Sequence, residues 1–444
     1  MEVTLAQMLE ARENRVRRQK ELIREFGKPI ICFTMNIPGP IKDSPLIRRG
    51  FRAGLEALEH RLPKKVLRIE LTEGITGCEG IYAVDMEPMA LKAITTAIED
   101  THSLGRLFDM DVIGTDLCKL DREAVDGGSR NCIVCGAPGR GCASRRVHSV
   151  EELQAATKAI LEGYFREKDA ALLGSLAVQS LLDEVCTTPK PGLVDRRNSG
   201  SHQDMDIFTF MASAAALSGY YWNCGRIGIE SAAEAPAETF RQLRLLGLEA
   251  EQDMYAATNG VNTHKGAIFT LGLLCGAAGR LWKSEGGWDP AEICREVAEM
   301  TREAMEADFQ KGGSTVGHRL FAEHGIRGIR GQAAAGLPAV TELGLPAYRS
   351  ALERLGDRNA AGVHTLLILI ANVEDTNMLS RGGLAGARAG AEKCNQLLKT
   401  GYTLSDVEAL DDWFIARNLS PGGCADLLAA VYFLHSLWEE KEEL

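Results

Sequence analysis

Two aspartates in the segment GRLFDMDVIG have the spacing of a metal-binding pair. Asp109 and Asp111 alternate with apolar residues, and residues i and i+2 of a strand point to the same face. Two neighbouring carboxylates repel each other unless a cation lies between them, and Mg²⁺ with a phosphate ligand suits that position. The pattern predicts a strand that presents both carboxylates for nucleotidyl transfer. A solvated strand face is the alternative interpretation.

Three cysteines and a histidine follow in the segment CIVCGAPGRGCASRRVH. Their spacing is Cys132-x2-Cys135-x6-Cys142-x5-His148. Three thiolates and one imidazole can complete a tetrahedral Zn²⁺ site, and reduced cysteines around a Gly/Pro-rich turn are the alternative. The sequence therefore gives Zn²⁺ as a candidate ion and leaves both interpretations open.

Acidic and basic residues lie together in the segment PKPGLVDRRNSGSHQDMD. Its prolines and glycines break the preceding helix, and a capped helix start with solvated charges is one interpretation of the rest. Two acids and a histidine exceed what a cap requires. We therefore expect Asp204 and Asp206 to hold Mg²⁺ on a triphosphate. Lys190 and Arg196 would hold its phosphates, and His202 lies beside them.

Three more polar clusters lie at the ends of apolar helices, in the segments GVNTHKGAIF, NVEDTNMLSRGG and LSPGGCADLLAAVYFL. In the last segment Ser420 is the expected N-cap and Pro421 the first helical residue, so the N–H groups of the following glycines would form an anion site. Caps and turns explain each cluster alone, but together they predict one polar pocket built from helix ends. Its further candidate residues are His264, Lys265, Asp375, Arg381, Gly422 and Gly423.

The elements that must position these residues divide the chain in two. Residues 4–26 predict a helix that starts with a capping box and ends at Gly27, and PIICFTMN and VLRIELT are short runs typical of strands. From about residue 167 the sequence consists of Ala/Leu-rich runs with helical spacing. We predict a multidomain chain, with an N-terminal α+β, nucleotidyltransferase-like domain over 1–166 and a larger all-α domain over 167–444.

Composition and charge exclude some classes of protein. The net charge of −11 over 444 residues argues against a nucleic-acid binder, which normally has a basic face. No segment approaches the roughly 20 apolar residues that span a bilayer, and no targeting segment is visible. Twelve cysteines in such a chain predict reduced thiols and hence a cytoplasmic protein. From the charge and the apolar runs, we expect it to bind neither nucleic acid nor membrane.

The motifs RENRVRRQ, TMNIPGPIK, GRLFDMDV and RNCIVCGAPGRGCASRRVHS together resemble the family that attaches the prosthetic group of citrate lyase. The resemblance covers most of residues 11–149. It implies phosphoribosyl-dephospho-CoA transfer to a serine of the acyl carrier (gamma) subunit, with loss of pyrophosphate. Arg15, Arg18 and Lys42 lie in matching motifs and would hold phosphates; exposed basic residues are the alternative.

The segments LLDEVCTTPKPGLVDRRNSGSHQDMD, LRLLGLEAEQDMYAATNGVNTHKGAIFTLGLL, GIRGQAAAGLP, EDTNMLSRGG and LSPGGCADLLA resemble triphosphoribosyl-dephospho-CoA synthase over nearly all of residues 170–435. Cys424 is a mild departure, because a small polar residue is expected there. The resemblance implies the substrates ATP and 3′-dephospho-CoA, which are joined through their riboses with release of adenine. That product is the substrate implied for the N-terminal half, so the chain resembles a fusion of consecutive enzymes.

The implied chemistry suggests roles without fixing them. Inverting displacement at the anomeric carbon of the ATP ribose needs a carboxylate base, a proton donor for adenine and a triphosphate anchor. Asp204, Asp206 and Asp375 are the candidates for base or metal ligand, and His202 or His264 for the proton donor. The phosphate candidates are Lys190, Arg196, Lys265 and Arg381.

A rival interpretation makes the C-terminal half a metal-dependent phosphohydrolase or ADP-ribosyl hydrolase. The N-terminal half would then be a carrier-binding adaptor without its own chemistry. Adenine release that requires dephospho-CoA favours the synthase, whereas water as a sufficient acceptor favours the hydrolase.

Overall fold

The computed structural model describes residues 2–62, 64–311, 313 and 316–443. The chain forms two compact units, Met1–Phe165 and Arg166–Leu444. The first combines helices with a small antiparallel sheet, and the second is helical, with no strand among its described residues. The predicted order of an α+β part followed by a larger helical part is therefore confirmed.

The described residues of the first unit contain four strands and four complete helices. The strands are β1 Ile30–Met35, β2 Val66–Thr72, β3 Glu79–Val84 and β4 Phe108–Ile113. The helices are α1 Leu5–Phe26, α2 Pro45–Arg61, α3 Pro88–Thr101 and α4 Gly139–Arg145. All neighbouring strands pair antiparallel, in the order β2-β3-β1-β4. Short 3₁₀ turns cover Gly105–Leu107 and Arg122–Val125.

Helix α1 forms as its sequence predicts. The Thr4 hydroxyl accepts a hydrogen bond from the Gln7 N–H, and the Gln7 side chain accepts one from the Thr4 N–H. Gly27 ends the helix in the left-handed conformation, with φ of 59°, which glycine adopts without strain. Leu22 and Ile23 are the buried residues of this helix, and they pack on one face of the sheet.

The two faces of the sheet are covered differently. One face packs on α2 and α3. There Phe33 stacks on Phe51 with 4.8 Å between ring centroids, and a Cβ at Gly54 would lie 2.2 Å from the Phe33 ring. The opposite face is apolar under α1 and polar towards the end of β1, where β4 presents Asp109 and Asp111.

Helix α5, Val150–Cys186, contains the boundary between the two units. The second unit adds helices α6 to α17 and a π-helical turn at Ala339–Gly344. No helix in the described ranges is long and apolar enough to cross a membrane. The helices are α6 Ile207–Ala216, α7 Ser218–Glu230, α8 Pro236–Ala257, α9 Lys265–Arg280, α10 Pro290–Lys311, α11 Val316–His324, α12 Gly328–Ala334, α13 Leu345–Leu355, α14 Arg358–Asn372, α15 Thr376–Thr400, α16 Leu404–Ile415 and α17 Gly422–Glu443.

Glycines let two buried helices of the second unit meet backbone to backbone. A Cβ on Gly228 of α7 would lie 2.1 Å from the carbonyl oxygen of Gly276 on α9. One on Gly279 would lie 2.2 Å from the carbonyl oxygen of Gly225. Any side chain at these positions would push the helices apart. The close contact fixes α9, whose N-terminal end is preceded by His264.

Candidate active sites

Asp109 and Asp111 share one face of β4, as their alternation predicts, while the residues between and around them are buried. They lie opposite Thr34 and Cys32 of β1. Desolvation, and then the neighbouring Asp111 carboxylate, raises the pKa of Asp109. The Lys119 ammonium lies 2.6 Å from Asp111 Oδ2. The carboxylate pair therefore already attracts a cation, which is the property that a metal site needs.

Arg15 and Arg18 of α1 are held by a buried carboxylate of β3. Glu79 accepts a hydrogen bond from Arg15 Nε over 2.9 Å and one from Arg18 Nη1 over 3.4 Å. Burial alone would lower the pKa of Arg15, but the hydrogen bond to Glu79 and, more weakly, the charge of Asp109 raise it above its ordinary value. A phosphate bound by these arginines would share them with Glu79. Lys42 instead donates a hydrogen bond to the carbonyl oxygen of residue 37.

The four predicted zinc ligands lie together in the first unit. The ligand atoms of Cys132, Cys135, Cys142 and His148 are all within 4.8 Å of one another. Cys135 Sγ lies 3.5 Å from Cys142 Sγ and 3.2 Å from His148 Nε2. The spacing in the sequence therefore corresponds to a real cluster of soft ligands.

The polar clusters of the second unit enclose one cavity of about 1230 Å³. Its walls come from the ends of α5, α9, α14, α15 and α17, from the residues before α12, and from the connector between α5 and α6. The volume exceeds the roughly 300–1,000 Å³ of most ligand pockets, so it can hold more than one small substrate. The predicted residues that line it are Lys190, His202, Asp204, His264, Lys265, Asp375, Arg381, Ser420, Gly422 and Gly423.

Two predicted residues lie outside the cavity lining. The Arg196 guanidinium donates to Asn359 Oδ1 over 3.1 Å. Asp206 is the N-cap of α6, where it accepts a hydrogen bond from the Thr209 N–H over 2.9 Å and completes a capping box. Asp206 therefore fits the cap interpretation, since its carboxylate is engaged by the helix that it begins.

His202 joins the connector to the segment before α17. The Arg381 guanidinium donates to His202 Nδ1 over 3.2 Å, which leaves the Nε2–H to donate to Ser420 Oγ over 2.9 Å. Burial and the Arg381 charge lower the pKa of His202. Helix α17 begins at Gly422, one residue later than predicted. This chain of contacts holds the cavity wall in place.

A buried lysine and a buried histidine lie close together on the cavity floor. Lys190 donates to the Glu184 carboxylate and, over 2.8 Å, to the Glu184 carbonyl oxygen. His264 Nδ1 lies 2.7 Å from Ser213 Oγ, and within the described residues its Nε2 has no hydrogen-bond partner. Burial, and then the Lys190 charge, lowers the pKa of His264 to about 3. His264 is therefore neutral near pH 7 and cannot donate a proton as imidazolium.

Asp375 caps two helices at once. Its Oδ1 accepts from the N–H of Asn377 over 2.8 Å and of Met378 over 3.0 Å at the start of α15. Its Oδ2 accepts from the Cys424 N–H over 2.8 Å at the start of α17. A Cβ at Gly423 would lie 2.9 Å from that oxygen. Burial raises the pKa of Asp375, but three donors already occupy its oxygens, so its first role is to join these two helix ends.

Asp426 and Glu184 also line the cavity, and the sequence prediction missed both. Burial, and then the Glu184 and Asp375 carboxylates, raises the pKa of Asp426 well above its ordinary value. Asp426 accepts a hydrogen bond from the Ala267 N–H, and a Cβ at Gly266 would lie 1.9 Å from Asp426 Oδ2. A signal was available, because Asp426 is the one acid in the apolar run CADLLAAVYFLHSLW.

A cavity that gathers acids, cations and helix N-termini, and a paired-aspartate strand in the other unit, have the features that transfer of phosphorylated groups needs. Residues 170–443 match the family model described as ATP:dephospho-CoA triphosphoribosyl transferase (CitG). Residues 3–164 match that of apo-citrate lyase phosphoribosyl-dephospho-CoA transferase (CitX). The chain belongs to the CitXG family, in which both parts form one polypeptide.

Relatives of two kinds support this assignment. A protein named CitXG from Leuconostoc mesenteroides subsp. cremoris is 33% identical over 98% of this chain and 97% of its own length. The CitXG of Haemophilus influenzae is also 33% identical, over 98% and 96%. A 2-(5''-triphosphoribosyl)-3'-dephosphocoenzyme-A synthase from Klebsiella pneumoniae is 42% identical over 59% of this chain and 89% of its own length. The chain is a bifunctional transferase, and the rival hydrolase interpretation finds no support among these relatives.

Proposed function

We propose that the two units catalyse consecutive steps in making and attaching the prosthetic group of citrate lyase. Residues 167–444 join ATP to 3′-dephospho-CoA and release adenine. Residues 1–166 transfer the product to a serine of the acyl carrier (gamma) subunit and release pyrophosphate. The observation that carries this proposal is the charged cavity of about 1230 Å³, and the two family matches support the same division.

The cavity walls suit a complex of ATP with Mg²⁺. Asp204 and Glu374 are exposed acids on the wall, and carboxylate oxygens are preferred ligands of Mg²⁺. Lys265, the first residue of α9, and the N–H groups at the start of α17 would hold phosphate oxygens. Lys265 also pairs with Glu251 over 2.6 Å, but it is exposed. Lys190 is less suited to this task, because it is buried and bound by Glu184.

Departure of adenine requires a proton, and Asp426 is the donor best suited to supply it. Negative charge builds on the adenine ring as its bond to the ribose breaks in an oxocarbenium-like transition state. The raised pKa of Asp426 favours a carboxyl that keeps its proton and can donate it. His264 cannot compete, because its pKa is lowered to about 3. We therefore assign to Asp426 the role of proton donor to adenine, for which the sequence suggested His202 or His264.

The first unit would use its paired aspartates in the manner of a nucleotidyltransferase. Asp109 and Asp111 would hold Mg²⁺, which neutralises the α-phosphate under attack by the carrier serine and the departing pyrophosphate. Arg15 lies close enough to be influenced by Asp109 and would stabilise the same phosphates. Free cysteines throughout the chain support a cytoplasmic place of action.

The full chain, apo-carrier, ATP, Mg²⁺ and dephospho-CoA provide the test. We expect mass spectrometry to show one phosphoribosyl-dephospho-CoA group added to the carrier, and chromatography to show adenine released only when dephospho-CoA is present. Adenine released with water as the sole acceptor would support the hydrolase instead. Normal adenine release with an unmodified carrier would contradict the role of the first unit alone.

A further inference from the structure

The Cys/His cluster of the first unit has the dimensions of a closed zinc site. Ligand atoms at the corners of a tetrahedron lie about 3.5–3.8 Å apart, given bonds of about 2.3 Å to sulfur and about 2.0 Å to nitrogen. Cys135 Sγ is 3.5 Å from Cys142 Sγ and 3.2 Å from His148 Nε2, and every pair in the cluster is within 4.8 Å. Only small movements would close these atoms around an ion.

The backbone at the first two cysteines forms a tight hairpin turn that favours a thiolate. The Cys132 N–H donates to the Ala137 carbonyl over 2.7 Å, and the Gly136 N–H donates to the Cys132 carbonyl over 3.0 Å. Gly136 has φ of 72°, which glycine adopts without strain. The Val134 N–H points at Cys132 Sγ over 3.5 Å. A donor aimed at sulfur stabilises the ionised form that binds metals.

The surroundings of His148 identify its ligand nitrogen. Nε2 faces Cys135 Sγ, whereas Nδ1 lies 4.0 Å from Glu152 Oε2. The Glu152 carboxylate also accepts from the Ser149 N–H over 2.8 Å, at the start of α5. At 4.0 Å this carboxylate is not hydrogen-bonded to Nδ1, but a small rotation of the side chain would bring it there, where a carboxylate fixes the tautomer and ring orientation of a zinc-bound imidazole.

The segment that leads into the cluster supports the strand of the paired aspartates. Arg130 donates to the carbonyl oxygen of Phe108 over 2.8 Å. The same guanidinium forms an ion pair of 2.7 Å with Glu99. Phe108 is the first residue of β4, and Asp109 follows it. Whatever fixes this segment therefore also fixes the beginning of that strand.

We propose that Cys132, Cys135, Cys142 and Nε2 of His148 bind one Zn²⁺ ion as a structural site. Four protein ligands leave no position for water or substrate, so the ion takes no direct part in either reaction. It ties the hairpin at 131–138 to α4 and to the start of α5, and so holds Arg130 against β4. Any consequence of this support of β4 for carrier modification rests on the proposed function; the zinc site itself does not.

Metal content of the full chain provides the first test. We expect one Zn²⁺ per chain in wild-type protein purified without chelators, and none in Cys135→Ser. Cys118→Ser is the matched control, because Cys118 is an exposed cysteine outside the cluster, and it should keep the ion. Replacement by Co²⁺ should give the intense visible absorption of tetrahedral thiolate coordination in wild type and Cys118→Ser only.

Glu152→Gln tests the partner of His148. Glutamine can still accept the Ser149 N–H but lacks the charge beside Nδ1, so we expect zinc affinity to fall by up to about 10-fold, the low end for outer partners of zinc-bound histidines, measured by competition with a chromogenic chelator. If Cys135→Ser does not fold, removal and return of zinc in wild-type protein gives the same information.

Three results would overturn the proposal. They are wild-type protein that takes up neither Zn²⁺ nor Co²⁺, equal zinc binding by Cys135→Ser and Cys118→Ser, and a Cys135–Cys142 disulfide in protein prepared under reducing conditions. Metal content does not depend on either reaction, so a failure of the proposed function would leave these results interpretable.

Discussion

Replacing Gly266 by alanine should separate folding from adenine release. Gly266 is the second residue of α9, and its Cβ would lie 1.9 Å from Asp426 Oδ2. Ordinary contact begins near 3.4 Å, so the carboxyl must retreat by about 1.5 Å. Alanine favours the helix by up to about 1 kcal/mol, whereas disturbing the hydrogen bond from Ala267 to Asp426 costs about 1–3 kcal/mol. The net loss of unfolding free energy should be at most about 3 kcal/mol.

The effect on chemistry should be larger. A misplacement of about 1 Å in a reacting group costs about 100-fold in rate, or about 2.7 kcal/mol in the barrier. We expect Gly266→Ala to fold but to release adenine at least 100-fold more slowly, measured by chromatography at saturating ATP and dephospho-CoA. Gly219→Ala is the control: Gly219 is the second residue of α7, and a Cβ there meets nothing within 4 Å. A Gly266→Ala variant with the wild-type rate would refute the role of Asp426.

Three further predictions concern the carboxylates. Asp109→Asn and Asp111→Asn should each slow carrier modification at least 100-fold, because metal-held phosphates lose several kcal/mol of stabilisation, while adenine release stays normal; a normal mass gain on the carrier would contradict the metal assignment. Asp204→Asn should abolish adenine release with an unchanged Tm. Asp206→Ala should lower Tm by about 2–4 °C through loss of its cap and keep the activity, so a loss of activity equal to that of Asp204→Asn would restore Asp206 to the site. Adenine release should fall as pH rises through the raised pKa of Asp426, because only the protonated carboxyl donates. The protonated Asp426 carboxyl also contributes to stability. This contribution is complete below its ordinary pKa of 3.8 and is lost as the pH rises through the raised pKa of the folded protein. Asp426→Asn should therefore remove both pH dependences, and a pH–rate profile identical to wild type would count against the role of Asp426.

Local signals in the sequence were sufficient for much of the fold. The capping box of Thr4 and Gln7 and the stop at Gly27 define α1 as predicted. Alternation put Asp109 and Asp111 on one face of β4. These features depend on residues a few positions apart, where backbone geometry alone decides which side chains meet.

The candidate sites were only partly predictable. Asp204 and Asp206 are equally acidic and two residues apart, yet only Asp204 lines the cavity, because Asp206 is turned into the cap of α6. Asp426 stands out as the one acid in an apolar run, but the run alone does not show which partners surround the carboxylate. Its significance comes from Glu184, far away in the chain, whose carboxylate contributes to its raised pKa. Such long-range electrostatic pairs follow from packing and not from spacing.

The hydrogen bonds in the cavity distinguish the groups that build it from those left for substrate. Asp375 is occupied by three backbone donors, and Lys190 by Glu184, so these polar groups hold their walls together. His264 Nε2 has no partner in the described part of the chain, and the raised pKa of Asp426 marks a carboxyl with too little compensation for its charge. A buried polar group without compensation costs stability, and a ligand that completes it recovers that cost. We therefore expect the substrates to bind where His264 and Asp426 face the cavity, with Asp375 behind them as scaffold.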